Sequence, residues 1–174
     1  MKNKIFLIGF MGSGKSTVGE ILSEISGFQY IDMDKEIEIE DGAPIRDIFI
    51  KRGEHHFRNL ESKLLDSLVQ RENIIVSCGG GIIHDSLNVE VLKATGSAIF
   101  LEGDINTLFK RVKEDSNRPF AFLDESSEEE RFIKFSTLYA NRKEAYLEAS
   151  FAVINTDGKT TDEIAKIIYV KYII

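Results

Sequence analysis

The sequence predicts an α/β fold in which helices cover both faces of a central five-stranded parallel sheet. Two observations support this prediction. Short apolar segments alternate with segments of helical spacing, and a glycine-rich loop separates the first strand from the first helix. The chain has 174 residues, which is the size of one ordinary domain. We therefore expect a three-layer α/β/α sandwich that forms a single domain over residues 1–174.

The candidate strands are short and almost continuously apolar, as is typical of parallel strands that are buried on both faces. Between them, apolar residues recur every three or four positions, for example from Ser16 to Ser26 before a stop at Gly27. The segment from Asp115 to Ser127 has a proline and scattered acids but no period, which predicts a mobile loop. The candidate strands are Lys4–Ile8, Phe28–Ile31, Ile74–Ser77, Ser97–Leu101 and Phe151–Ile154.

Charge and composition exclude several classes of function. The 22 basic and 29 acidic residues give a net charge of −7, which opposes a surface that coats nucleic acid. The longest apolar runs have a few residues, whereas a membrane-spanning helix needs about 20. The first residues predict a strand rather than a secretory signal. We expect a monomeric, cytoplasmic protein that binds neither nucleic acid nor membranes and holds any anionic ligand in a local basic site.

Cysteine and histidine do not indicate a metal site. Cys78 is the single cysteine, so the chain can form neither an internal disulfide nor a cysteine-rich zinc site. We expect Cys78 to be a small buried side chain. The three histidines, His55, His56 and His84, lack the spacing of a zinc-binding motif.

Residues 9–17 read GFMGSGKST and match the phosphate-binding pattern G-x-x-x-x-G-K-[ST] between a candidate strand and a candidate helix. The glycines allow backbone N–H groups to surround phosphate oxygens, and Lys15 supplies a charge for the β- and γ-phosphates. The Ser16 hydroxyl is the expected Mg²⁺ ligand. The guanine-specifying pattern N-K-x-D is absent from the sequence, which disfavours a GTPase. The expected nucleotide-binding residues of the loop are Gly12, Ser13, Gly14, Lys15, Ser16 and Thr17.

Asp32 and Asp34 follow the second candidate strand, at the edge where open α/β sheets bind ligands. In an extended segment, residues two apart point the same way, so both carboxylates would face the phosphate loop. One carboxylate would then be oriented toward Mg²⁺ and its waters, and the other toward an acceptor hydroxyl. The alternative is an acidic helix start in which Asp32 caps the helix and Asp34 complements its dipole.

Two further motifs belong to this acceptor side. Arg58 and Glu61 lie three positions apart on a predicted helix, close enough to pair, and an exposed salt bridge is the alternative interpretation. The three glycines at 79–81 follow the third candidate strand, where they would let a ligand lie against the backbone. A flexible loop is the alternative for these glycines.

Together these motifs resemble the shikimate kinase family, in order and over nearly the entire chain. The resemblance implies a P-loop fold of the nucleoside monophosphate kinase type. It also implies transfer of a phosphoryl group from ATP, with Mg²⁺, to the 3-hydroxyl of shikimate. The matching motifs are GFMGSGKST (9–17), DMD (32–34), GExxFRxxE (53–61), GGG (79–81), Arg118-Pro119 and RxxxY (142–146).

The resemblance also implies a role for each matching residue. Lys15, Asp34 and Arg118 are the predicted catalytic residues, with Arg118 on a lid at about 113–127. Ser16 and Asp32 are the predicted Mg²⁺ ligands. Arg111 matches the arginine that flanks adenine. A gluconate-type kinase and a non-catalytic ATP-binding module remain alternatives. The predicted substrate-binding helical segment is at about 33–62. The predicted shikimate-binding residues are Asp34, Arg58, Gly79, Gly80, Gly81 and Arg142.

Overall fold

The structure is a computed structural model that describes residues 1–114 and 127–174. Five parallel strands form one sheet in the order β2-β3-β1-β4-β5. The predicted α/β class and its five-stranded parallel sheet are confirmed, although β2, β4 and β5 each begin and end one residue later than expected. The strands are β1 (Lys4–Ile8), β2 (Gln29–Asp32), β3 (Ile74–Ser77), β4 (Ala98–Glu102) and β5 (Ala152–Asn155).

Eight α-helices lie within the described ranges, and a 3-10 turn, Ile82–His84, precedes the fifth of them. A π-helical segment, Tyr169–Ile173, follows the last helix. The helices are α1 (Lys15–Ser26), α2 (Met33–Asp41), α3 (Ile45–Arg52), α4 (Glu54–Leu68), α5 (Ser86–Thr95), α6 (Ile105–Glu114), α7 (Glu128–Ala149) and α8 (Thr161–Ile168).

Alternate residues of β1, β3 and β4 pack against opposite helical layers, as the two-residue period of a strand requires. In β1, Phe6 and Ile8 belong to the core on one face, with side chains of α4, α5, α6 and α7. Ile5 and Leu7 belong to the core on the other face, with side chains of α1 and α8. Both faces of these three central strands are therefore buried, which explains their continuous apolar runs.

Helices α2, α3 and α4 pack around a smaller apolar cluster beside the sheet, formed by Ile37, Ile48 and Phe57. Polar contacts at Asp41 join the same three helices. Its Oδ1 accepts a hydrogen bond from Arg52 Nη1 at 2.5 Å and lies 3.1 Å from His56 Nε2. These contacts connect the ends of α2 and α3 to the first turn of α4.

The predicted lid at about 113–127 and its Arg118 lie outside the described residues, apart from the two ends of that segment. Lys113 belongs to the last turn of α6, and Ser127 caps α7 in a capping box with Glu130. Lys113 Nζ donates to Glu128 Oε2 at 2.6 Å and thereby joins α6 to α7. Among the helices of residues 1–114 and 127–174, none combines the length and the apolar character that crossing a membrane requires.

Candidate functional site

The glycine loop between β1 and α1 has the backbone of an anion site. Gly12 and Gly14 have φ values of 80° and 86°, in the left-handed region that favours glycine. Gly14 is also the N-cap of α1 and gives that helix no side-chain cap. The first N–H groups of α1 can therefore donate to phosphate oxygens, which the positive end of the helix dipole also favours.

Lys15 holds its charge inside this loop. The residue is only 7% exposed, and its ammonium group donates to Gly9 O at 2.8 Å and to Phe10 O at 3.0 Å. Ser13 Oγ lies 3.4 Å away. The positive charge is thus placed within the turn that would surround the phosphates, as the sequence predicts.

A cavity of about 310 Å³ adjoins the loop. Arg111 of α6 reaches it and donates from Nη1 to Gly12 O at 3.3 Å. The predicted nucleotide-binding residues of the loop and Arg111 therefore surround one space, to which Lys159 adds a cation that the sequence analysis did not single out. The cavity is lined by Gly12, Ser13, Gly14, Lys15, Ser16, Thr17, Arg111, Val112, Lys159, Thr161 and Ile164.

Ser16 and Asp32 bring a hydroxyl and a carboxylate together beside the loop. Ser16 Oγ donates to Asp32 Oδ2 at 3.3 Å, and the Tyr30 hydroxyl donates to the same oxygen at 3.3 Å. Burial, and then the charge of Asp32, raise the pKa of Tyr30 to about 12, so the hydroxyl remains a donor. Oxygen ligands of this kind are those that Mg²⁺ prefers, so this pair fits the metal.

Tyr30 was missed in the sequence analysis, although a signal was present. It lies two positions before Asp32 on β2, and residues two apart on a strand point to the same side. Gly19 of α1 allows the ring to approach, because a Cβ at Gly19 would lie 2.5 Å from Tyr30 Cε2. The tyrosine thus occupies a place that α1 leaves open.

The expectation of an extended segment from Asp32 to Asp34 is wrong. Strand β2 ends at Asp32, and α2 begins at Met33. Asp32 is the N-cap, and its Oδ1 accepts hydrogen bonds from Asp34 N at 3.1 Å and from Lys35 N at 3.4 Å. A short carboxylate that satisfies the first N–H groups favours a helix start over a longer strand. The alternative, an acidic helix start, describes the local geometry correctly.

Asp34 nevertheless reaches the triple glycine. A Cβ on Gly79 would lie 2.7 Å from Asp34 Oδ1 and 2.9 Å from Glu61 Oε1. A Cβ on Gly81 would lie 2.9 Å from Cζ of Arg58. Protein side chains from α2 and α4 therefore occupy the space beside two of the glycines that we expected to accommodate a ligand. A side chain at Gly79 or Gly81 would displace these charged groups from their present positions.

Gly80 is contacted by side chains of α7. Its carbonyl oxygen accepts hydrogen bonds from Arg142 Nη1, at 3.3 Å, and from the Tyr146 hydroxyl. The guanidinium of Arg142 lies 5.8 Å from the centroid of the Phe10 ring, and Tyr146 stacks on Phe100 at 5.1 Å. The two residues of the RxxxY motif are one helical turn apart and contact the same carbonyl group.

Arg58 and Glu61 pair as predicted, but the exposed salt bridge is the wrong description. Glu61 is 1% exposed and accepts a hydrogen bond from Arg58 Nη1. Arg58 also donates to Glu54 Oε1, from Nε at 3.2 Å and from Nη2 at 3.0 Å. Burial raises the pKa of Glu61 to about 7, although the charge of Arg58 acts in the opposite direction. Burial thus favours the protonated form of Glu61, whereas Arg58 favours its carboxylate.

We expect a Glu61→Gln substitution to change how stability depends on pH. Because the pKa of Glu61 is about 7 in the folded chain and ordinarily 4.5, its contribution to stability is fully present below pH 4.5. That contribution is lost as the pH rises through about 7. Urea unfolding should show the unfolding free energy of the wild type, relative to Glu61→Gln, falling by up to about 3 kcal/mol over this range. A difference that is independent of pH would contradict the raised pKa.

The nucleotide and acceptor sides meet around the end of β3. Cys78 follows β3 directly and is buried, as predicted. Burial is the main cause that raises the pKa of its thiol, and the charges of Lys15, Glu61, Asp34 and Asp32 all act on it. The structure thus brings together the predicted residues of both sides, apart from Arg118, which lies outside the described ranges.

Comparisons with known proteins agree with this geometry. A family model described as "Shikimate kinase" matches residues 11–172. The chain is 42% identical to the shikimate kinase of Persephonella marina, over 94% of each chain. It is also 40% identical to the shikimate kinase of Sulfurihydrogenibium sp., over 98% of each chain. These similarities extend over nearly the whole sequence.

The solved structures give the same result. The chain is similar to the shikimate kinase from Acinetobacter baumannii in complex with shikimate, with 34% identity and a TM-score of 0.86 over 98% of this chain and 93% of that one. A gluconokinase from Sinorhizobium meliloti has 18% identity and a TM-score of 0.52, over 94% and 88% of the two chains, which shows a shared fold alone. The predicted P-loop kinase fold is confirmed, and the chain belongs to the shikimate kinase family.

Proposed function

We propose that this chain transfers the γ-phosphoryl group of ATP to the 3-hydroxyl of shikimate, which gives shikimate 3-phosphate and ADP. The observation that carries the proposal is the meeting of Asp34, Arg58 and Arg142 at the triple glycine, next to a phosphate loop. One carboxylate and two arginines suit a small acid that also carries hydroxyl groups. The proposal includes the predicted monomeric state and cytoplasmic location.

On the nucleotide side, the N–H groups of the loop and Lys15 would bind the β- and γ-phosphates, and Arg111 would flank the base. Ser16 and Asp32 would hold Mg²⁺, while Tyr30 keeps the Asp32 carboxylate oriented. A bound metal ion would supply positive charge that neutralises the phosphate oxygens. Lys15, held within the loop, would add its charge where the transferred group becomes more negative.

On the acceptor side, Arg58 of α4 and Arg142 of α7 approach the glycines from different helices. Planar guanidinium groups can each donate two parallel hydrogen bonds to a carboxylate, which fixes both the position and the orientation of the acid. Asp34 would accept a hydrogen bond from the reacting hydroxyl and take up its proton during transfer. The bound acid would lie beside the charged side chains that surround the glycines at 79–81.

The proposal also includes the lid, at about 113–127, with Arg118. A kinase must exclude water during transfer, since otherwise ATP is hydrolysed. A closing segment that carries an arginine would exclude water and place positive charge at the transferring group. This part of the proposal is supported by the sequence pattern and by family membership.

A phosphotransfer assay over a panel of acceptors tests the proposed function. We expect kcat/KM for shikimate to exceed that for gluconate, quinate and nucleoside monophosphates by about 100-fold or more, because a poorer acceptor leaves charged groups of the site unpaired. Phosphorus NMR of the product should place the phosphate on the 3-oxygen. Comparable kcat/KM values for any of the other acceptors would contradict the specificity. Binding of ATP with no acceptor turned over would favour the non-catalytic alternative.

A further inference from the structure

His84 ends the 3-10 turn that follows the triple glycine. Its Nε2 lies 2.6 Å from Nη2 of Arg142, which is 58 positions away in the sequence. A guanidinium group has donors and no acceptor, so in this hydrogen bond the imidazole must accept. His84 is therefore neutral when the bond is formed, with its proton on Nδ1.

The other partners of Arg142 are Gly80, Phe10 and Tyr146, whose side chain hydrogen-bonds to the guanidinium. Nη1 donates to Gly80 O at 3.3 Å, which is a long hydrogen bond, and the guanidinium lies against the Phe10 ring. Within the described residues, Nε is buried and has no hydrogen-bond partner. The Gly80 contact holds Nη1 of the guanidinium, and the His84 contact, at 2.6 Å, holds Nη2.

We infer that His84 is a positioning residue that holds Arg142 in the orientation that binds the acceptor carboxylate. This inference rests on the proposed function, because the proposed function makes the acceptor carboxylate the ligand of Arg142. His84 itself need not contact the acceptor. Its contribution is to restrict the rotation of a long side chain, so that less freedom is lost when the carboxylate binds.

The charges around the His84 ring favour its neutral form. Arg142 of α7 and Arg58 of α4 both act on it, and Glu54 of α4 is the acid that acts in the opposite direction. Burial is the largest cause, and together with the two arginines it lowers the pKa of His84 from its ordinary 6.5. The accepting form of His84 is therefore the main form at neutral pH.

The remaining element packed against the turn is α5, which approaches with an uncharged side chain. Asn88 Nδ2 donates to Ile82 O at 3.2 Å. The nearest acid in the sequence, Asp85, caps α5 and accepts a hydrogen bond from Leu87 N at 2.9 Å. The charged groups around the His84 ring are thus the cations Arg58 and Arg142 and the acid Glu54. Asp85 already accepts a backbone hydrogen bond.

Protonation of His84 should weaken acceptor binding. It removes the accepting lone pair and places a second positive charge against Arg142, so the guanidinium must move. Because the pKa of His84 is lowered, this effect should develop as the pH falls below 6.5. Glu61, whose pKa is about 7, titrates over an overlapping pH range and pairs with Arg58. A comparison with a His84 variant isolates the contribution of His84.

The test uses the full chain with His84→Ala and His84→Gln. For His84→Ala we expect the KM for shikimate to rise about tenfold, the usual effect of losing a hydrogen bond to a charged group, with the KM for ATP unchanged and a smaller effect on kcat. His84→Gln should recover most of the loss, because its amide oxygen accepts without titrating. The exposed His55 provides the control, and His55→Ala should leave all three constants unchanged.

Two measurements separate positioning from a merely structural role. In an Arg142→Ala background, His84→Ala should raise the KM less than twofold further, since the two residues act as one unit. The ratio of the wild-type KM to that of His84→Gln should rise between about pH 7.5 and about pH 5.5. An unchanged KM in His84→Ala, additive effects in the double variant, or a ratio that is independent of pH would each overturn the inference.

A binding-independent measurement distinguishes failure of this inference from failure of the proposed function. The His84 ring proton in an NMR titration, assigned from the His84→Gln spectrum, should show a higher pKa in Arg142→Ala than in the wild type, because a neighbouring cation is removed. An unchanged pKa would overturn the inference even in an active enzyme. A wild-type chain that phosphorylates no shikimate would contradict the proposed function and with it the role of His84 in acceptor binding.

Discussion

Replacing Asp34 with asparagine is expected to lower kcat for shikimate by about 10²- to 10⁴-fold, the range for loss of a general base. The amide can still accept a hydrogen bond from the acceptor hydroxyl, but it cannot take up the proton. The KM for shikimate should therefore change much less than kcat. The variant keeps the shape of the side chain beside Gly79 and so should not disturb the backbone there.

Steady-state kinetics at saturating ATP would measure this effect. Asp47→Asn is the matched control, since Asp47 lies on α3 in an exposed pair with Lys51 at 3.0 Å, and it should retain wild-type kcat. Thermal unfolding of both variants should show that they are folded. Wild-type turnover by Asp34→Asn would remove Asp34 from the mechanism. A rise in the KM for shikimate with no loss of kcat would make Asp34 a binding residue alone.

The second large effect is expected for Lys15→Met, which should lower kcat by about 10²- to 10³-fold, as for removal of one stabilising group from a transition state. Methionine retains an unbranched chain but has neither the charge nor the donors that reach Gly9 O and Phe10 O. Affinity for ATP should also fall, because the ground-state phosphates lose a cation. Affinity for shikimate alone should stay close to that of the wild type.

Calorimetric titration with ATP and with shikimate, together with kcat, separates these effects. Lys51→Met removes a lysine that is 69% exposed and provides the control for loss of one positive charge, with constants expected at wild-type values. Lys15→Arg keeps the charge in a larger group and should retain ATP binding better than Lys15→Met. If Lys15→Met lost no more activity than Lys51→Met, the charge in the loop would have no role in transfer.

The parts of the fold that depend on local pattern were predictable from the sequence. The central strands β1, β3 and β4 are apolar runs, and the phosphate loop requires glycines at the left-handed positions 12 and 14. The error at Asp32–Asp34 shows where local pattern is insufficient. A short polar residue after a strand is compatible with both continued extension and a helix cap, and the choice depends on which N–H groups its oxygen satisfies.

The candidate site was predictable only in part, because several of its contacts join distant positions. Helical spacing predicts that Arg58 pairs with Glu61, but it does not reveal that Glu61 is buried. The contact between His84 and Arg142 joins residues 58 positions apart, and no periodicity relates them. Tertiary packing creates such contacts, and they are the ones that determine charge states in this site.

Strand order explains why motifs far apart in the sequence converge. Strand β3 lies between β2 and β1, so the carboxyl ends of these three strands are neighbours at one edge of the sheet. The loop after β1, Asp32 at the end of β2 and the glycines after β3 therefore share that edge. Ligands of open α/β sheets bind at such an edge, and here it brings a phosphate loop beside an acceptor site.

The burial of Cys78 has a practical consequence for labelling. Thiol reagents react with thiolates that they can reach, whereas this thiol is enclosed and its pKa is raised. Maleimide dyes and mild oxidants should therefore leave the natural chain unmodified. A cysteine introduced at an exposed position would be the sole reactive thiol, so a fluorescent or spin label could be attached near residues 115–126 without first replacing Cys78.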